Sequence, residues 1–214
     1  MRRGRRTGSA VALAAAALLL VACDDSGPLA ACKVDPTTED LVQQREAAGI
    51  ADCDPADWSA GDGEPAELPD VALDCLGSTI PASLADVRGP AVINVWSSNC
   101  EPCRAEMPAL QEFSAAYGDQ VNVVGLNFLD TYPGAAIDLA ARSDVTYPSA
   151  ADACGDLQET DLVLNGLPIF LFVAPDGTVT QQHGGVDSVA EIVELTEEKA
   201  GVDLVAPERQ QGNG

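Results

Sequence analysis

Basic side chains are scarce in this 214-residue chain: 11 lysines and arginines stand against 34 aspartates and glutamates, a formal charge of −23. Nucleic-acid binding through a basic face is therefore excluded, because neutralising phosphates needs clustered Lys and Arg. Aromatic residues make up only 4%, and there is a single histidine, His183. A second C-x-x-C that might complete a zinc site is missing, and one histidine does not replace it, so no metal or other cofactor is expected. The apolar run from Ala10 to Ala22 falls short of the ~20 residues of a spanning helix. What is present is a globular composition, 46% hydrophobic, with length for one domain and flanking segments. A core of that size needs no cross-links to be stable, so seven cysteines call for a chemical explanation.

The N-terminus reads as an export signal. Met1-Arg2-Arg3-Gly4-Arg5-Arg6 is a basic n-region, and Ala10 to Ala22 has the length of a secretory h-region. Leu20-Val21-Ala22-Cys23 resembles the lipobox of bacterial lipoproteins. That resemblance implies cleavage after residue 22, a lipid on Cys23, and attachment to the outer face of the cytoplasmic membrane. The four arginines lost with residues 1–22 leave seven basic side chains against 34 acidic ones, so anchoring depends on acyl chains and not on charge.

Residues 23–67, rich in Asp, Ala, Gly, Pro and Glu, read as an acidic tether, since such a composition buries too little apolar surface to order itself. A short helix inside it is expected from a Thr37 cap to Ala48, stopped by Gly49. From residue 68 to 201 the pattern alternates. Val71–Cys75 and Ser78–Ala82 suggest a hairpin, Pro90–Trp96, Val121–Phe128 and Ile169–Val173 are strands, and Asp176-Gly177 turns the chain into Val179. Helices are expected over Glu101–Tyr117, Pro133–Arg142 and Ser188–Ala200. Together these predict an α/β domain, a mixed sheet with helices on both faces. Residues 202–214 read as a flexible tail.

The chemistry concentrates at Cys100-Glu101-Pro102-Cys103, where a strand gives way to a helix. The free N–H groups and positive dipole end of that helix stabilise a thiolate at Cys100. Cys103 can reach back to resolve a mixed disulfide, which is the layout of thiol-disulfide exchange.

The segment from Val95 to Leu110 resembles the active site of thioredoxin-like thiol-disulfide oxidoreductases of the TlpA/ResA group. Residues 70–89 resemble their added N-terminal β-hairpin, and Gly166-Leu167-Pro168 with Ala174-Pro175-Asp176-Gly177 resembles their cis-proline segment and hairpin. The resemblance implies a thioredoxin-like fold, a mixed central sheet flanked by helices, with Pro168 cis beside the two sulfurs. Thioredoxins proper carry an Asp where this chain has Asn94, and Glu106 matches the acidic residue that ResA-type reductases place near their cysteines. An acid/base role for Glu106 is implied; its other reading is a solvated glutamate in a first helical turn. The family's usual aromatic residue before the first cysteine is here Asn99, a departure that exposes Cys100.

Cys32, Cys53, Cys75 and Cys154 remain as structural disulfide candidates, with Cys53–Cys75 and Cys32–Cys154 the preferred of three pairings. The implied function is a membrane-tethered, extracytoplasmic oxidoreductase acting on exported protein thiols or disulfides. Its electrons would come from a membrane thiol donor, for example in cytochrome c maturation. A disulfide-forming oxidase and a non-enzymatic copper-binding assembly protein are the alternatives.

Overall fold

The computed structural model describes residues 32–54, 58 and 63–207. The segment expected to be a signal peptide, and Cys23, lie outside the described residues. The described residues from Lys33 onward form one compact unit.

Among the described residues, seven strands and four α-helices build it. In chain order these are α1 (Glu39–Ala48), β1 (Leu73–Cys75), β2 (Ser78–Ala82), β3 (Ala91–Trp96), α2 (Glu101–Tyr117), β4 (Asn122–Phe128), α3 (Pro133–Arg142), β5 (Ser149–Asp152), β6 (Ile169–Val173), β7 (Val179–His183) and α4 (Val189–Ala200). The sheet order is β2-β1-β5-β4-β3-β6-β7. Strands β3, β4 and β5 are parallel; β6, β7 and the β1–β2 hairpin run antiparallel to their neighbours.

This is the thioredoxin-like fold, with the hairpin added at one edge. Along β3, Val92 and Trp96 face one core cluster while Ala91, Ile93 and Val95 face the other; β6 alternates in the same way, with Phe170 and Phe172 opposite Ile169, Leu171 and Val173. Helices on both faces are the expectation; instead the apolar residues of all four α-helices join the Trp96 side. The reason is topological. β3 to β4 and β4 to β5 step in the same direction, and two right-handed crossovers in one direction put α2 and α3 on the same face. Loops, Trp58 and 3-10 turns at Leu84–Asp86 and Asp156–Glu159 cover the other face.

The tether is corrected over its described part. α1 lies against α3, with Gln44 Nε2 donating to Gly134 O and Asp138 Oδ1. Arg45 is buried and donates to the Gly77 and Ile50 carbonyls. Ile50, Cys53, Trp58 and Ala66 are buried in the two cores, and Cys53 is bonded to Cys75. An acidic composition thus orders here because its few apolar groups and one cross-link dock on the domain, burial that the segment cannot achieve alone. The helix starts one residue later than expected: Thr38 occupies the N-cap, while the Thr37 hydroxyl and amide both donate to Asp35 Oδ1. Cys32 and Cys154 are also disulfide-bonded.

The tail needs the same correction over residues 202–205. Val202 and Leu204 pack on the helical core, and Val205 exchanges two 2.9 Å hydrogen bonds with the Gln120 amide.

Candidate active site

The site is assembled at the C-terminal ends of the parallel strands. β3 ends at Trp96, a short loop follows, and α2 opens with Cys100 as its N-cap. Cys100 Sγ accepts a hydrogen bond from Cys103 N at 3.2 Å, so the sulfur itself satisfies one of the helix's free donors. Glu101 and Pro102 occupy the first turn, where the missing proline N–H has no helical partner to lose. Cys100 and Cys103 are disulfide-bonded, with Cα atoms 5.3 Å apart. Cys100 is half-buried and Cys103 fully buried. Only Cys100 is open to a partner.

One turn further along α2, Glu106 points inward and is 1% exposed, so it is not the solvated glutamate of the alternative reading. Its Oε1 accepts from Asn94 Nδ2 at 2.8 Å. A Cβ placed on Gly185 would lie 3.1 Å from Glu106 Oε2 and 3.5 Å from Pro168 Cγ, so the carboxyl, the proline ring and the loop after β7 share one small space. Burial pushes the Glu106 carboxyl up to about 7, against the opposing pull of hydrogen bonds from Asn94 and the Val186 backbone. Burial also raises the phenol of Tyr147, and the charge on Glu106 adds to that shift.

Pro168 is buried at the start of β6 and follows a cis Leu167–Pro168 bond. Leu167 is half-buried and touches both core clusters. The structure thus brings Cys100, Cys103, Glu106 and Pro168 to one end of the sheet. Cys53 and Cys75 are elsewhere, at the hairpin edge.

One residue at this end escaped the sequence reading. Asp130 is 1% exposed; its Oδ2 accepts from Ser98 N at 2.6 Å and Asn127 Nδ2 at 3.2 Å, and its Oδ1 from Tyr132 N at 3.1 Å. It ties the loop after β4 to the loop that carries Cys100. The available signal was its position just past the C-terminal end of a parallel strand, where sites of α/β sheets gather.

Among the described residues no group of three or more His, Cys, Asp or Glu side chains is gathered so as to hold a metal ion. Two sulfurs at a helix N-terminus, one reachable and one buried beside a carboxyl near neutrality, are instead arranged for two-electron exchange. The AhpC/TSA family matches residues 66–182. The chain belongs to the AhpC/TSA family. It is 30% identical to thioredoxin-like protein YneN of Bacillus subtilis over 122 residues, covering 56% of this chain and 70% of that protein. It is 28% identical to thiol-disulfide oxidoreductase ResA of Oceanobacillus iheyensis over 120 residues, covering 53% of this chain and 60% of that relative. Among solved structures, a secreted Mycobacterium tuberculosis disulfide oxidoreductase homologous to DsbE of E. coli superposes with a TM-score of 0.51 and 26% identity, covering 62% of this chain and 96% of that one. A DsbF homologue from Corynebacterium diphtheriae gives 0.54 and 25%, covering 64% and 88%. This AhpC/TSA member is a thioredoxin-like thiol-disulfide oxidoreductase.

Proposed function

We propose that the chain is exported, anchored through a lipid on Cys23, and reduces disulfides of exported proteins, cytochrome c precursors among them, with electrons from a membrane thiol donor. The observation that carries the reductive reading is Glu106, a buried carboxyl one turn from Cys103 to which, among the described residues, no basic side chain is bonded. In the reduced enzyme the Cys100 thiolate attacks a partner sulfur. The partner disulfide breaks, a Cys100–partner disulfide forms, and the first partner thiolate leaves. Glu106 takes the proton from Cys103, whose thiolate attacks Cys100 Sγ, forming Cys100–Cys103 and expelling the second partner thiolate. Two electrons pass to the partner, which takes up two protons; the membrane donor restores the dithiol.

Glu101 between the sulfurs and Glu106 behind them oppose thiolate formation, while Arg104 is exposed and screened by solvent. The couple is therefore reducing, about −200 to −280 mV, nearer thioredoxin than a strong oxidant. Equilibration with glutathione measures it, and a potential above roughly −150 mV would transfer the assignment to the disulfide-forming oxidase. Alkylation of the reduced protein labels Cys100 ahead of Cys103, and Cys103→Ser accumulates mixed disulfides through Cys100; the opposite order would reverse these roles. For the anchor, Cys23→Ser moves the protein from the membrane fraction to the soluble or unprocessed pool, and an unmodified Cys23 in the mature protein's mass spectrum would remove the lipid from the proposal.

A further inference from the structure

We infer that Leu129 and Tyr132, on the loop between β4 and α3, form the docking surface for an apolar side chain flanking the reactive cysteine of the substrate polypeptide. The inference rests on the thiol-disulfide reading of Cys100 and adds a partner chemistry to it. Leu129 is 43% and Tyr132 71% exposed, large apolar groups left outside the core. Neither is a loose loop residue. Leu129 has φ 52°, in the left-handed region that a leucine seldom occupies, and its amide donates to Asp152 O. The backbone is thus held in a disfavoured conformation, and the side chain lies against Gly155 with the rest of its surface open to solvent. Tyr132 N donates to Asp130 Oδ1, and the other oxygen of the same buried carboxylate receives Ser98 N, two residues before Cys100. The apolar pair and the reactive sulfur therefore sit on one braced unit.

The residue next to the sulfur supplies no such surface. Asn99 is exposed and its Oδ1 accepts from the Ser97 hydroxyl, so the position adjoining Cys100 is polar. The occupant is specified by continuity with the reaction. A substrate cysteine must reach Cys100, and the residues beside that cysteine then pass over the neighbouring loop. A second copy of this chain is a poor occupant, because the mature chain, with seven basic against 34 acidic side chains, repels itself. The surface suits a neutral or basic extended segment with a Leu, Phe or Tyr within a few residues of its cysteine.

The test uses the mature protein reduced by dithiothreitol and two disulfide-closed peptides that differ only in a Phe or a Ser beside the cysteine. Glutathione disulfide serves as a reference without an apolar flank. The wild type reduces the Phe peptide about tenfold more efficiently in kcat/KM than the Ser peptide, the scale of one apolar contact. Leu129→Ser/Tyr132→Ser brings that ratio close to one, and adding Asn99→Trp, which returns an apolar face beside Cys100, restores it. A ratio unchanged in the double variant overturns the inference, as does an equal fall for both peptides and glutathione disulfide, which would make the pair merely structural. A wild type unable to reduce either peptide would instead sink the reductant reading beneath it.

Discussion

Glu106 Oε1 accepts a 2.8 Å hydrogen bond from Asn94 Nδ2, with both side chains enclosed behind the active-site disulfide. The amide can donate to the carboxylate yet cannot itself ionise, so this pair contains one titratable group, not two. Burial brings the Glu106 carboxyl to about 7.

Exchange with a protein disulfide should accelerate as pH rises through about 7, where Glu106 loses its proton and becomes a base for Cys103. Glu106→Gln removes this limb and slows resolution of the mixed disulfide by roughly a hundredfold, the usual worth of a positioned base. Stopped-flow rates from pH 5 to 9 check it; an unaltered profile in the variant would assign the proton to another group.

Stability carries the opposite sign. The carboxyl is raised from 4.5 to about 7 on folding, so its neutral form is favoured by the fold and stability falls as pH rises from about 4.5 to above 7. The full cost is about 3 kcal/mol by linkage. Glu106→Gln should therefore melt like the wild type at pH 4 and gain stability over it at pH 8.5, measured by denaturant titration at both pH values.

Asn94→Asp places a second carboxyl 2.8 Å from the first in a buried site. The two cannot both ionise without strong repulsion, so they share a proton and the upper titration moves above 7. Between pH 5 and 8.5 the variant should lose roughly 2 kcal/mol or more beyond what the wild type loses over the same range. A pH-independent loss would mean that packing, and not charge, is at fault.

Cys53 and Cys75 close a loop of 22 residues between the segment after α1 and the hairpin. Cys53→Ala/Cys75→Ala should lower unfolding free energy by about 3 kcal/mol. The Cys100 potential should stay where it is, since this bridge lies at the far edge of the sheet.

The elements that were legible in the sequence are those whose causes are local. Helix α2 has the expected limits, Glu101 to Tyr117, because a cap and an apolar stripe at Met107, Leu110, Phe113 and Tyr117 need no distant partner to be recognised. The same holds for α3 with its leading proline and for β6, a run of five apolar residues. Strand β5 was missed: Ser149-Ala150-Ala151-Asp152 has no β-branched residue and is a strand only because β4 and β1 lie on either side of it.

Sequence alone determined the two sulfurs, their place at a helix N-terminus, and the carboxyl one turn behind them, since spacing on a helix is a local rule. Tertiary structure decided what those groups experience. Glu106 is near neutrality because its burial beside Pro168 and Gly185, from the start of β6 and the loop after β7, outweighs the opposing hydrogen bond from Asn94 on β3. Asp130 braces the active-site loop because β4 ends beside β3, a pairing that no short stretch of sequence contains. The acidic segment around α1 is ordered for the same reason. Its apolar residues gain by burial only once a sheet that begins at Leu73 supplies the surface that covers them.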